Sequence, residues 1–305
     1  MGFGTKFLRQ PSLFPARLAG TPAGSRTLGV DVAGGPYVIR GLSEEQLDAL
    51  EERYGERCLP SEELAGTDLH LFGAEESEFN PVERSGRLNR FDFDYQQHTV
   101  RMAGDQLMAS MSWRPHLVAA LWTPLEAGTH FLETFENCFR VVVAYRLLEL
   151  GGAVLHSSGV VDQGRAWIFF GHSGAGKTTV ARRSLAAGRT VLSDDINALW
   201  MADGQAVAAR MPFAGELGHS NERAGPFPLG GLSRLEQASS TSWKATSPGR
   251  AVAALLACSP FTNHDPHRLP VLLANLEALA RTARTGILGC SLEEDFWPVL
   301  EEEAS

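Results

Sequence analysis

Trp167 to Asp195 reads WIFFGHSGAGKTTVARRSLAAGRTVLSDD: an apolar run, a glycine-rich loop, a stretch of helical character, a second apolar run and two adjacent aspartates. Within it, Gly171 to Thr178 satisfies G-x-x-x-x-G-K-[ST] at every fixed position. Glycines let such a loop close around phosphate with its backbone N–H groups turned inward, and the helix that follows presents its positive N-terminal end to the same anion. The cradle is expected from Gly171, His172, Ser173, Gly174, Ala175, Gly176, Lys177, Thr178 and Thr179, with His172 a spacer of which only the backbone amide is needed. Lys177 is expected to reach the β/γ-phosphates of ATP, and the Thr178 hydroxyl to meet Mg²⁺. The context agrees: Ala166 to Phe170 is strand-like, and Thr178 to Ala187 has helical character closed by Gly188, the residue type expected just past a helix end.

Working outward, 305 residues with 44% apolar content suggest one large or two modest domains with ample core. A formal net charge of -9, without a dense basic run, argues against a general nucleic-acid binder. Cys58, Cys138, Cys258 and Cys290 are far apart and lack metal-ligand spacing, which fits reduced thiols in a cytoplasmic protein and leaves zinc without a motif. No stretch approaches 18 apolar residues, so no membrane span is expected. Lys6, Arg9, Arg17 and Arg26 precede the first acid, Asp31, giving the basic character of a transit peptide. Pro11, Pro15 and Pro22 interrupt any amphipathic helix there, so a loose leading tail is the reading adopted.

Residues 28 to 40 read as strand, Gly-Gly-Pro turn, strand. Ser43 and Gln46 then form a capping box with Leu42 and Leu47 as the hydrophobic staple, opening a helix that buries Leu47, Leu50 and Tyr54. Arg90 to Tyr95 alternates apolar and acidic residues, a half-exposed strand whose Asp92 and Asp94 face solvent rather than a metal. More strand-like pieces follow through Trp122, giving a β-rich first domain over residues 1–130 with no readable chemical motif. Phe135 to Leu150 is apolar on nearly every face, as a buried helix is. Ala153 to Val161 and Ala166 to Phe170 flank a hairpin link, Asp162-Gln163-Gly164-Arg165, so an antiparallel neighbour lies beside the strand entering the loop. Asp203-Gly204 turns a second hairpin between Ile196 to Met201 and Ala206 to Arg210. Ser247-Pro248 opens a helix, Leu269 to Arg284 is another, Gly286 to Cys290 is a strand, and an acidic helix containing Pro298 closes the chain.

LHSSGVV at 155 to 161, FFGHSGAGKTT at 169 to 179 and LSDD at 192 to 195 together resemble the catalytic domain of HPr kinase/phosphorylase. The arrangement is also similar to the nucleotide core of ATP-dependent phosphoenolpyruvate carboxykinase. The resemblance covers roughly 135 to 305 and is strongest over 153 to 200. It implies an α/β, HPr-kinase-like P-loop domain over 131–305, with a mixed sheet and antiparallel hairpins, after a smaller β-rich α+β domain. It further implies Asp195 as the base and Asp194 at the metal, His156 in the catalytic site, and Glu216 in PFAGELG at a recurring acidic position near the metal. From the residues alone the two aspartates are interchangeable, because successive residues of a strand point oppositely. Arg210 and Arg223 are candidate phosphate clamps.

Phosphoryl transfer needs a phosphate cradle, a divalent cation and a group that orients or deprotonates the acceptor. The expected activity is thus a Mg²⁺- and ATP-dependent kinase acting on a hydroxyl, with a protein or peptide serine as partner. A carboxykinase-like lyase and a nucleotide-gated binding module are the alternatives. The expected partners are ATP and that hydroxyl acceptor, with a homo-oligomer as a further option.

Overall fold

The computed structural model describes residues 8, 22–60, 64–75, 79, 91–104, 106–113, 116–124, 130–218 and 225–302. The basic positions Lys6, Arg9 and Arg17 and the candidate clamp Arg223 lie outside the described residues. The fold is mixed α/β, and the chain divides into two units, Met1–Arg146 and Leu147–Ser305.

In the first unit, β1 (Arg26–Val30) and β2 (Tyr37–Leu42) pair antiparallel across the Gly-Pro turn. Helix α1 (Glu44–Tyr54) opens with the expected reciprocal cap: the Gln46 N–H donates to Ser43 Oγ at 3.2 Å and the Ser43 N–H to Gln46 Oε1 at 3.0 Å. Leu47, Leu50 and Tyr54 are buried along it. The remaining strands are β3 (Cys58–Leu59), β4 (Thr67–Ala74), β5 (Phe91–Gln96), β6 (Thr99–Gly104), β7 (Leu107–Trp113) and β8 (Leu117–Pro124). They complete an eight-stranded sheet in the order β3-β1-β2-β4-β8-β7-β6-β5. The β2–β4 and β4–β8 pairs are parallel and the others antiparallel. Of the two strand acids read as solvent-facing, Asp92 is exposed and Asp94 is ion-paired with Arg101 at 2.8 Å.

Helix α2 (Phe131–Glu149) carries most of its apolar length on this first unit. Phe139 meets Tyr37 edge-on at 5.0 Å and Tyr54 at 6.0 Å, and Phe135 stacks obliquely on Phe139 at 5.4 Å. That aromatic packing is why the division of the chain falls at Arg146, inside α2, and not ahead of the helix near residue 130.

The second unit holds β9 (Ala153–Asp162), β10 (Arg165–Phe170), helix α3 (Lys177–Ala186), β11 (Thr190–Ser193), β12 (Ile196–Ala202), β13 (Gln205–Arg210), β14 (Phe227–Gln237), β15 (Ser242–Ala245), α4 (Pro248–Ala257), α5 (Leu269–Thr282), β16 (Arg284–Cys290) and α6 (Trp297–Glu302). Both expected hairpins form. Gln163 and Gly164 stand at φ 47° and 73°, Asp203 and Gly204 at 48° and 78°, the left-handed pairs that match a two-residue turn to strand twist. The strand order is β10-β9-β12-β13-β14-β16-β15, with β11 also pairing β9 and β10 also pairing β14.

Strand β14 runs parallel to β10 on the side away from β9, and parallel to β16 on its other edge. Its sequence, FPLGGLSRLEQ, carries a proline and two glycines and gives no strand signal. The glycines are there for room: a Cβ on Gly231 would stand 2.8 Å from the Trp167 indole, and the register shifts beside Ala166 and Trp167. The same device recurs where the Trp243 ring fills the space over Gly286. Helix α5 ends at Thr282, two residues short of its expected end, because Arg284 already pairs with Gly231 in the sheet.

Candidate functional site

Strand β10 ends at Phe170, and the chain turns through Gly171 to Gly176 into α3. Gly174 and Gly176 take φ of 79° and 104°, and a Cβ on either would meet nothing within 4 Å. Backbone conformation, not crowding, therefore demands glycine at both. Ala175 tucks its methyl into the core beneath the loop with Phe169, Val180 and Leu235, which anchors the turn. His172 is exposed and its ring folds onto the Ser173 carbonyl at 2.6 Å, consistent with a spacer. Thr178 is half-buried and Thr179 exposed on the first turn of α3.

Lys177 is buried, with Nζ donating to the carbonyls of Gly171 at 3.1 Å and His172 at 3.2 Å. Its ammonium thus sits at the head of the loop. Burial lowers its pKa from 10.5, and Cys258 and Asp195 pull it part of the way back.

Strands β11 and β12 both lie along β9, and the chain breaks between them at Asp194-Asp195. Ser193 Oγ makes the break by accepting the N–H groups of Asp195 at 3.1 Å and Ile196 at 3.2 Å. The aspartates are consequently not successive residues of a regular strand, and their surroundings differ. Asp194 is 5% exposed; its Oδ1 accepts a long bond from the Leu217 N–H at 3.4 Å, and its Oδ2 has no partner among the described residues. Gly215 packs against this carboxylate so closely that a Cβ there would collide with Oδ1. Asp195 turns instead toward His156, whose Nδ1 lies 3.0 Å from both Asp195 Oδ1 and the Asp195 carbonyl. Both partners are acceptors, so Nδ1 carries the hydrogen.

Adjacent serines of β9 tie the two halves together. The Ser157 N–H donates to the Asp195 carbonyl at 2.9 Å, and Ser158 Oγ donates to the Lys177 carbonyl at 2.7 Å. Asn197 locks the same strand by donating to the Ser157 carbonyl at 2.7 Å and Ser157 Oγ at 3.0 Å, and Gly159 makes room for the Asn197 amide. The glycine loop, Lys177, His156 and the two aspartates are thus brought to the C-terminal end of β10, beside the middle of β9. Ser157, Ser158, Asn197 and Gly215 were not singled out by sequence; the serines lie within LHSSGVV, and their hydroxyl spacing was the available signal.

Glu216 is in the loop that packs on Asp194, but its own exposed carboxylate pairs with Arg182 of α3 at 3.1 Å. Arg210 is turned inward and donates to the Val191 carbonyl at 2.7 Å, bracing β11. Among the described residues no group of three or more His, Cys, Asp and Glu assembles a metal site of its own. The donor set does suit Mg²⁺, which is commonly held by one or two carboxylates, water and substrate phosphates: a buried carboxylate oxygen without a hydrogen bond calls for a cation or a proton. No helix among the described residues is long and apolar enough to cross a membrane. No family model and no curated protein matches the chain.

Proposed function

We propose that the second unit is an HPr-kinase-like P-loop kinase that transfers the γ-phosphoryl group of ATP to a hydroxyl, most simply a serine of a protein or peptide. One observation carries this reading: at the C-terminal end of β10, beside the middle of β9, a glycine loop headed by a buried lysine is tied to β9, the strand beside which lie a buried carboxylate with one oxygen lacking a donor among the described residues and a second carboxylate bonded to histidine. An anion cradle, a cation ligand and an acceptor-facing base are the parts phosphoryl transfer requires.

In this scheme the amides of residues 171 to 178 cradle the phosphates, and Lys177 exchanges its bonds to the Gly171 and His172 carbonyls for the β/γ-phosphate oxygens. Thr178 and Asp194 are the residues that would hold Mg²⁺, which when bound supplies charge neutralisation on the phosphates. Asp195 accepts the acceptor's hydroxyl proton as the acceptor oxygen bonds to the γ-phosphorus and the bond to the β-phosphate oxygen breaks, releasing ADP. His156 holds Asp195 through Nδ1 and fixes the direction of its free oxygen. A loose transition state depends on positioning more than on nucleophile strength, so an ordinary serine hydroxyl suffices.

The test is incubation with γ-labelled ATP, Mg²⁺ and host extract, followed by mass spectrometry. Label on a serine or another hydroxyl is the expected result. Label confined to free phosphate would replace the kinase by a nucleotide-gated binding module, and oxaloacetate-dependent release of carbon dioxide would replace it by a carboxykinase.

A further inference from the structure

A cavity of about 880 Å³ opens beside the loop, within the size range of small-ligand sites. His156 and the loop residues Gly171, His172 and Ser173 line one part of it, and α4, Arg234 of β14 and Gly286 and Ile287 of β16 line another. On α4 the lining residues are Arg250, Ala251, Ala253, Ala254 and Ala257, four of them at i, i+3, i+4 and i+7, so the helix presents an arginine at its start and only methyl groups beyond. Arg234, opposite Phe170 in the β10–β14 register, adds a second guanidinium to the same lining. Arg250 makes no hydrogen bond or ion pair among the described residues, and Arg234 holds only Glu236 at 3.2 Å, with both side chains nearly half exposed. An exposed pair of that kind is weak and easily exchanged.

Which ligand the cavity takes follows from which end of the nucleotide it adjoins. Lys177 is the side chain assigned to the β/γ-phosphates, and its Nζ already lies on the carbonyls of Gly171 and His172, both of which line the cavity. The cavity therefore opens off the γ-phosphate end of the loop, on the side of His156 and its partner Asp195.

We propose that this cavity is the acceptor subsite and selects a hydroxyl compound bearing a nearby anionic group, which Arg234 and Arg250 hold while the hydroxyl faces the His156–Asp195 pair. The assignment rests on the kinase reading. The alanine stripe keeps the space wide enough for the acceptor, and the arginines supply the charge-assisted hydrogen bonds that choose an anion over its neutral isostere. The anion is a carboxylate or phosphate, carried either by a small hydroxy acid or by an acidic residue flanking a serine.

Ligand-observed NMR in the presence of Mg²⁺ and β,γ-imido-ATP separates these possibilities. One arm compares glycerate with its amide; the other compares serine heptapeptides flanked by glutamate with the same peptides flanked by glutamine. In one arm or the other, the carboxylate form should bind wild type about tenfold or more tightly than its neutral twin, the span expected for a hydrogen bond to a charged group. In Arg250→Ala combined with Arg234→Gln that ratio should fall to about twofold or less, with nucleotide-analogue affinity held within about twofold. No charge preference in either arm, or a preference that survives in the double variant, overturns the proposal. Loss of nucleotide affinity in the double variant overturns it as well, by giving the cavity to the nucleotide. Failure of wild type to bind the analogue at all defeats the kinase reading beneath it and is recognised before either arm is scored.

Discussion

The two units carry sheets of equal strand number and use their buried polar groups differently. In the first, buried polar residues serve the scaffold, with Gln46 closing the cap of α1 and Arg57 donating to the Asp31 carbonyl, although Gln46 Nε2 and Tyr54 Oη make no hydrogen bond among the described residues. In the second, Ser157, Ser158, Asn197, Lys177 and Asp194 gather where β9 meets the glycine loop, and Asp194 Oδ2 and Asn197 Oδ1 have no hydrogen-bond partner among the described residues. Burying a polar group without compensation costs stability, so a fold tolerates it where something else supplies the partner. Both units leave buried polar atoms without hydrogen bonds among the described residues, and the difference lies in which group and where. In the second it includes a carboxylate with no ion pair among the described residues, beside a glycine loop, whereas Glu136 of the first is paired with Arg53, and that supports placing the proposed chemistry in the second.

The sharpest way to break this contrast is at the acid pair. Asp195→Asn keeps the side chain's shape and removes its basicity, and should lower phosphoryl transfer by about 10²- to 10⁴-fold with nucleotide affinity nearly unchanged. Steady-state turnover beside equilibrium nucleotide binding checks it; equal loss in both would move Asp195 from the acceptor to the nucleotide. Gly215→Ala comes next, since its methyl would collide with Asp194 Oδ1. It should raise the Mg²⁺ concentration needed for half-maximal turnover and lower stability by about 1–3 kcal/mol, as overpacking does. An unchanged Mg²⁺ requirement would remove Asp194 from the metal.

A third prediction belongs to the first unit. Ser43→Ala deletes the cap acceptor of α1 and should cost about 1 kcal/mol in denaturant unfolding, leaving nucleotide affinity as in wild type. A fall in nucleotide affinity would make the two units' roles inseparable. The smallest effect concerns pH. Burial holds Lys177 below 10.5 in the free protein, whereas phosphate favours its charged form. Nucleotide affinity should then be full below the lowered pKa and decline as pH rises through it, with proton uptake on binding in that window. Calorimetry in buffers of different ionisation enthalpy measures the uptake, and Lys177→Arg should abolish it because a guanidinium keeps its proton.

Local chemistry made some of this legible in the sequence. Gln163-Gly164 and Asp203-Gly204 fix their hairpins, Ser43 and Gln46 fix a helix start, and the glycine spacing fixes the loop, because each acts over a few residues. Strand β14 was hidden because its glycines answer to Trp167, which is about sixty residues away in sequence and adjacent only in the sheet. The distinct environments of Asp194 and Asp195 were hidden for a related reason: strand alternation does not describe a break created by Ser193, and it is Gly215 and His156 that give each carboxylate its neighbours. Arg210 carries the charge of a phosphate clamp, yet only the fold reveals that it braces Val191.

The central claim is that the loop headed by Lys177 binds the phosphates of ATP together with Mg²⁺. Equilibrium titration of ATP with and without Mg²⁺, on wild type, Lys177→Ala and Thr178→Ala, tests it most directly. Wild type should bind ATP more tightly with Mg²⁺ than without; Lys177→Ala should lose productive ATP use while remaining folded, and Thr178→Ala should lose most of the Mg²⁺ enhancement. Wild-type affinity and turnover in Lys177→Ala would contradict the account.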